Sequence, residues 1–165
     1  MIENILITGG AGYIGSHIAE LLVSKKKNLF IVDNLSTGFK KLINKKAKFY
    51  NANIQNTKKI KEIITKNEID SIIHLAGSLV IEIGEKNPKK YFKNNVVGTK
   101  SILNACRNTS VKNFIFSSTA AVYKDGLFKV TEKSPLKPKS IYGKTKLIAE
   151  KSIINTCKKN KINYA

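Results

Sequence analysis

Tyr142 and Lys146 stand four residues apart in Y-G-K-T-K, at the start of a stretch with helical spacing over 140–159. Four residues is close to one helical turn, so both side chains leave the same face. An ammonium beside a phenol stabilises the phenolate and lowers the phenol's pKa, making tyrosine a usable base near neutral pH. In an arbitrary protein the spacing fits an exposed surface pair equally well, so its meaning depends on what surrounds it. Upstream, Phe116-Ser117-Ser118-Thr119 puts a run of hydroxyls at the end of an apolar stretch. Thr119 is the candidate to hydrogen-bond a reacting oxygen, with Ser118 next. Ser117 reads more simply as a hydroxyl that satisfies loop backbone groups.

A second constellation opens the chain. T-G-G-A-G-Y-I-G follows the apolar run Ile5-Leu6-Ile7, and Gly9, Gly12 and Gly15 fall where a first strand turns into a first helix. Glycine allows a ligand's phosphates to approach the main chain, and the helix start offers free N–H groups and the positive end of its dipole. Asp33 ends the second apolar run, at roughly the remove expected of a carboxylate that accepts hydrogen bonds from adenosine ribose hydroxyls. A carboxylate there repels a 2′-phosphate, so the pattern favours NAD over NADP. With this fingerprint upstream, the Tyr142–Lys146 pair reads as catalytic, and bound NAD⁺ would add a further positive charge beside the phenol.

These residues need a frame, and the rest of the chain supplies one. Strands are expected over 5–8, 29–33, 48–51, 71–75 and 113–117. Helices are expected over 14–25, 58–67, 88 to about 108, and 140–159. Apolar strands alternating with helices predict an α/β fold, a doubly wound parallel sheet of the Rossmann type with strand order 3-2-1-4-5. The stretch 125–139, with Gly126, Pro135 and Pro138, is a loop long enough to border a site. The chain stops where a sixth strand would start, leaving strand five as an open edge. The expectation is therefore an incomplete dinucleotide-binding domain over 1–165, the N-terminal part of a longer protein whose substrate-binding C-terminal region is absent.

Composition narrows the classes. The net charge is +19, yet of the 30 basic residues only Arg107 is arginine, and the lysines are spread in short runs. Specific base readout relies on arginine forks and aromatic platforms, so no specific nucleic-acid partner is expected. No stretch approaches a membrane span and no secretory signal is visible, which points to a cytoplasmic protein. Cys106 and Cys157 fall in helical stretches without a metal-type grouping, so they read as packed thiols, and no metal site is expected.

Taken together the motifs resemble the N-terminal half of an extended short-chain dehydrogenase/reductase, most closely the UDP-glucose (UDP-galactose) 4-epimerase family. The matching segments are T-G-G-A-G-Y-I-G-S-H (8–17), D-N-L-S-T-G (33–38), H-L-A-G (74–77), N-N-V-V-G-T (94–99), F-S-S-T-A-A-V-Y (116–123) and Y-G-K-T-K (142–146). The resemblance implies a bound NAD used as a shuttle and a nucleotide-sugar substrate epimerised at C4 through a transient 4-keto intermediate. It implies that Tyr142 takes the proton of the 4-hydroxyl, that Lys146 tunes Tyr142 and holds the nicotinamide ribose, and that Thr119 binds the reacting oxygen. It also implies a cofactor lining of Gly9, Gly12, Tyr13, Ile14, Gly15, Asp33 and Asn34, with Asn53 and Ile54. Leu75, Ala76, Gly77, Asn95 and Ser117, besides Tyr142 and Lys146, complete it. A homodimer through the helices after Pro88 and Ser140 is a further implication.

The related sugar-nucleotide 4,6-dehydratases carry Asp-Glu after the threonine, where this chain has Ala120 and Ala121, so water elimination lacks its carboxylates. The chain departs from the family pattern at Asn53 (usually Asp, against the adenine amino group), Leu79 (often Lys), Lys124 and Ile141. Uronate epimerases and decarboxylases of the same superfamily stay open, as does a non-catalytic NAD-binding protein. On the sequence alone, residues 1–165 are expected to show little turnover by themselves.

Overall fold

The computed structural model describes residues 4–126 and 129–165; Leu127 and Phe128, inside the expected loop, lie outside them. Six strands form one parallel sheet: β1 (Asn4–Thr8), β2 (Asn28–Asp33), β3 (Lys48–Asn51), β4 (Ser71–His74), β5 (Asn113–Phe116) and β6 (Asn163–Tyr164). Their order is β3-β2-β1-β4-β5-β6. The expected order of the first five holds, but the chain does not stop short of a sixth strand. Asn163 and Tyr164 pair with Asn113 and Phe114, and the Phe116 amide donates to the Ala165 carbonyl at 2.9 Å. Strand five is therefore not an open edge: two residues suffice once Ile162, which precedes them, is buried in the core.

The sheet is apolar on both faces, as parallel sheets covered by crossover helices are. Leu6, Val32, Ile72 and Phe114 pack on one face with Ile60, Ile63 and Ile64 of α2 (Thr57–Lys66) and with Ile102, Leu103, Ile153 and Cys157 of two later helices. Ile5, Ile7, Leu29 and Ile31 pack on the other with Ala19 of α1 (Tyr13–Ser24). That second layer stops short of strand five, where Ile115 is 46% exposed. No helix among the described residues is long and apolar enough to cross a membrane.

Three elements differ from expectation. A short helix, α3 (Ile81–Lys86), precedes Pro88 where no element was expected; Gly84 within it lies against the Tyr91 ring. The long helix after Pro88 is not uniform. It begins as α4 (Pro88–Tyr91), widens to a π-helical stretch over Phe92–Val97, and resumes as α5 (Gly98–Ala105). π-turns recur at functional sites and leave no trace in hydrophobic periodicity. A 3-10 turn over Ala120–Val122 follows strand five. The last helix, α6 (Ile141–Asn160), starts on Ser140, whose side chain accepts the Gly143 amide at 3.0 Å.

Candidate functional site

The segments 8–17, 33–38, 74–77 and 116–123 leave from the carboxyl ends of β1, β2, β4 and β5, while 94–99 and 142–146 lie on helices. Gly9 follows β1 with φ +77°, and a Cβ there would lie 2.7 Å from the Ala76 amide nitrogen. That close approach of two strand ends forms the floor of the loop and excludes any side chain. Gly12, by contrast, faces only the Gly9 carbonyl, at 3.3 Å from where its Cβ would stand. Gly12 caps α1 with no side-chain hydrogen bond, so the amides of the first turn have no side-chain cap. Gly15 is buried against Gly9 and Gly10, seating the helix on the loop. Tyr13 and Ile14 are exposed at the same mouth.

Asp33 ties this cradle to β2. Its Oδ2 accepts the Ala11 amide at 3.0 Å and its Oδ1 accepts the Leu35 amide at 2.8 Å. The Phe39 amide donates to the Ala11 carbonyl at 2.9 Å, so the loop after β2 grips Ala11 from both sides. A carboxylate oxygen takes two hydrogen bonds, which leaves each with capacity for a ribose hydroxyl. Asn34 and Asn53 use their own side-chain oxygens on the Ser36 and Gln55 amides, at 3.1 and 2.9 Å. Ile54 is a core residue; a Cβ at Gly98 would touch it at 2.6 Å.

Leu75, Ala76 and Gly77 leave β4 behind Gly9. Asn95 lies in the π-helical stretch, buried, with its carboxamide committed to protein groups. Its Oδ1 accepts the Ser78 amide at 2.7 Å, and its Nδ2 donates to the Ser78 carbonyl and to Thr145 Oγ1 at 3.1 and 3.0 Å. In this geometry Asn95 joins elements: the loop after β4 to the first turns of α6.

At strand five, Thr119 accepts the Ala121 amide at 3.2 Å. A Cβ on Gly143 would run into the Ala121 carbonyl and stand 3.0 Å from Pro138, so the first turn of α6 lies directly on the segment after Thr119. That contact sets the Thr119 and Tyr142 segments side by side. Lys146 is buried; its Nζ donates to the Ser117 carbonyl and sits over the Phe116 ring, 4.0 Å from the centroid. Burial pulls its pKa down to about 8, partly opposed by the Glu150 carboxylate one turn further on. Ser118 donates to that carboxylate, so the hydroxyl beside Thr119 is spent on Glu150. Ser117 contributes its carbonyl to Lys146.

Next to these residues, α3, the 3-10 turn and the start of α6 enclose a half-open groove of about 430 Å³ lined by Ile81, Glu85, Ala121, Asp125, Lys139 and Ser140. The sequence reading missed Glu150 although the i, i+4 step from Lys146 was visible. It also gave no role to Thr8, His74, Thr99 and Thr145, buried polar residues that stand inside the matching segments 8–17, 74–77, 94–99 and 142–146. Cys106 and Cys157 are buried free thiols, and burial holds their pKa values up at about 12 and 11, so neither is a ready nucleophile.

Comparison with known proteins matches residues 5–165 to the NAD dependent epimerase/dehydratase family. A UDP-glucose 4-epimerase of Lactobacillus helveticus is 39% identical over 163 residues, covering 97% of this chain and 49% of that protein. Among solved structures, UDP-glucose 4-epimerase from Brucella ovis in complex with NAD superposes with a TM-score of 0.92 at 36% identity, covering 98% of this chain and 50% of that one. The UDP-Glc/GlcNAc 4-epimerase from Campylobacter jejuni gives 0.93 at 35% identity, with 98% and 51% covered. The chain spans about half the length of these relatives.

Proposed function

The chain belongs to the NAD dependent epimerase/dehydratase family, and on that footing we propose that residues 1–165 form the NAD-binding part of a nucleotide-sugar 4-epimerase of the UDP-glucose/UDP-galactose type. The observation that carries the reading is the convergence of two built features on one sheet end. One is a glycine cradle with Asp33 at its side; the other is the first turn of α6, which carries Tyr142, packed on the segment after Thr119, with Lys146 buried against Ser117 and Phe116 near a groove. The half of the relatives that this chain does not span would supply the rest of the sugar-nucleotide pocket. Ile115, exposed on the sheet face beyond α1, supports further chain packing there.

Gly9, Gly12 and the first turn of α1 would hold the pyrophosphate, and Asp33 the adenosine ribose. NAD, when bound, supplies a reversible hydride acceptor. Tyr142 would take the proton from the sugar 4-hydroxyl and later return it, and Thr119 would hold that oxygen by its hydroxyl. Lys146 is held against the Ser117 carbonyl and the Phe116 ring, about one turn along α6 from Tyr142. Ala120 and Ala121 offer no carboxylate for water elimination, so the sugar leaves with all its oxygens.

Titration of the chain with NAD by calorimetry, alongside Asp33→Ala, tests the first half. UDP-galactose to UDP-glucose conversion by the chain fused to the C-terminal half of the Lactobacillus helveticus relative tests the second. NAD binding weakened by Asp33→Ala is expected, with turnover in the fusion and little in the chain alone. Tyr142→Phe should retain NAD and lose at least about a hundredfold in turnover, the lower range for a lost general base. A chain that binds no NAD, or a fusion unaffected by Tyr142→Phe, would overturn the proposal.

A further inference from the structure

His74 ends β4, 1% exposed, and each of its ring nitrogens meets a threonine hydroxyl. Nδ1 is 2.7 Å from Thr8 Oγ1 and Nε2 is 2.9 Å from Thr99 Oγ1. Thr99 Oγ1 also lies 2.6 Å from the Asn95 carbonyl, which can only accept. The single Thr99 proton is therefore committed to Asn95, and the proton between Thr99 and His74 must sit on Nε2. A neutral ring then presents a bare Nδ1, so Thr8 donates to it, and Thr8 Oγ1 in turn accepts the Ala76 amide in a long contact of 3.4 Å. Lys146, from α6, is the charged group acting on the ring; Phe114 and Phe116 pack against it from β5. Burial first, and the Lys146 charge second, hold the His74 pKa down at about 3.

The same logic continues beyond Asn95. Its Nδ2 can only donate, so Thr145 Oγ1 accepts from it and keeps its own proton for the Tyr142 carbonyl, 2.7 Å away. Every proton in this chain of groups thus has one direction. One end is Thr8 and Ala76, the two strand ends whose close approach requires Gly9. The other is the backbone of Tyr142.

We propose that His74 is a positioning residue: fixed as the neutral Nε2–H imidazole, it braces the glycine loop against the π-helical stretch and, through Asn95 and Thr145, against the turn that carries Tyr142. The inference rests on the dinucleotide-site reading above. It assigns His74 no contact with substrate or cofactor; its effect passes through Thr8 and Thr99.

The test is nitrogen NMR of the 165-residue chain labelled in histidine, without NAD. His74 should show a protonated Nε2 and an unprotonated Nδ1 throughout about pH 5 to 8, while an exposed histidine titrates in that range. An imidazolium, or the opposite tautomer, would overturn the proposal, and this measurement needs no variant to fold. In Thr99→Val the hydroxyl is lost at nearly constant shape. The Ala76 and Ser78 amides should then exchange faster, and NAD affinity should fall about tenfold, as for one lost buried hydrogen bond. Thr99→Ser should restore both. Exchange altered only within α5, or unchanged NAD affinity in Thr99→Val, would overturn the positioning role alone. Absence of NAD binding in the unaltered chain would instead overturn the reading of the site, with the tautomer still measurable on its own.

Discussion

Lys146 gives the sharpest quantitative prediction. Its ordinary pKa of 10.5 falls to about 8 in the fold, with burial the first cause. The difference, 10.5 less 8, corresponds to about 3 kcal/mol. Below pH 8 folded and unfolded chains both hold the proton, and folding carries the full cost of burying the ammonium. Above 10.5 neither holds it, and the cost is gone. In between, the unfolded chain binds more protons than the folded one, so stability rises with pH. Relief of the net charge of +19 as other lysines titrate pushes the same way, so a single pH profile decides nothing. The difference between the parent and Lys146→Met isolates the group. At about pH 7 the variant escapes the 3 kcal/mol cost. It leaves the Ser117 carbonyl short of a donor, about 1 kcal/mol; the attraction of the ammonium to Phe116 is already contained in the net shift. The variant should then be about 2 kcal/mol more stable than the parent at pH 7, and the parent about 1 kcal/mol more stable above pH 10.5. Urea unfolding midpoints at several pH values between these limits measure the gap. Parallel pH profiles for the two chains would refute the reasoning, because they would mean that Lys146 is not desolvated in the fold.

Glu150→Gln removes the carboxylate that opposes this shift, so the Lys146 pKa should drop further below 8 and the rise in stability should start at lower pH, read from the same unfolding series. Gly9→Ala forces a Cβ to 2.7 Å from the Ala76 amide at φ +77°. Backbone strain of about 1–2 kcal/mol and overpacking of about 1–3 should lower Tm by roughly 10 °C and abolish NAD binding in calorimetry. Phe114→Ala, fully buried at the centre of the larger core, should cost about 3–5 kcal/mol in urea unfolding. It should also loosen the packing of His74, whose ring centroid lies 6.0 Å away.

What was legible in the sequence was what repeats locally. Alternating apolar strands and helices predicted the parallel sheet, and the glycine spacing placed the loop between β1 and α1, because those signals depend on neighbours within one or two turns. The amphipathic face of α2 was readable for the same reason: Ile60, Ile63 and Ile64 are all buried. The π-helical stretch was not, since its cause lies outside itself. Asn95 reaches back to Ser78 and forward to Thr145, 17 and 50 residues away. Helix α3 was hidden by Gly84, which reads as a breaker until Tyr91 is seen against it. The sixth strand was undervalued because two residues carry almost no pattern; their register comes from β5. At the site, Tyr142, Lys146 and Thr119 were readable as types at a spacing. Which groups their neighbours engage was not, and Ser118 turned from a second candidate into the donor to Glu150.

The buried polar side chains among the described residues are Thr8, His74, Asn95, Thr99, Ser101, Thr145 and Lys146. Only Lys146 belongs to a residue type charged at neutral pH in this setting, and the composition of the rest follows from it. A second cation beside Lys146 would lower its pKa below the already reduced value of about 8, and near pH 7 Lys146 would begin to lose its charge. A carboxylate strut would do the reverse, but its burial without a full set of donors would be costly. Hydroxyls, a carboxamide and a neutral imidazole avoid both outcomes. They satisfy one another in a fixed direction, they add no field at Lys146, and they span the distance between a loop on β1 and a turn on α6. An imidazole is the neutral side chain among the standard twenty whose ring can accept at one edge and donate at the other. Its presence at position 74, between two threonines that each need one of those bonds, is what the chemistry of both neighbours requires.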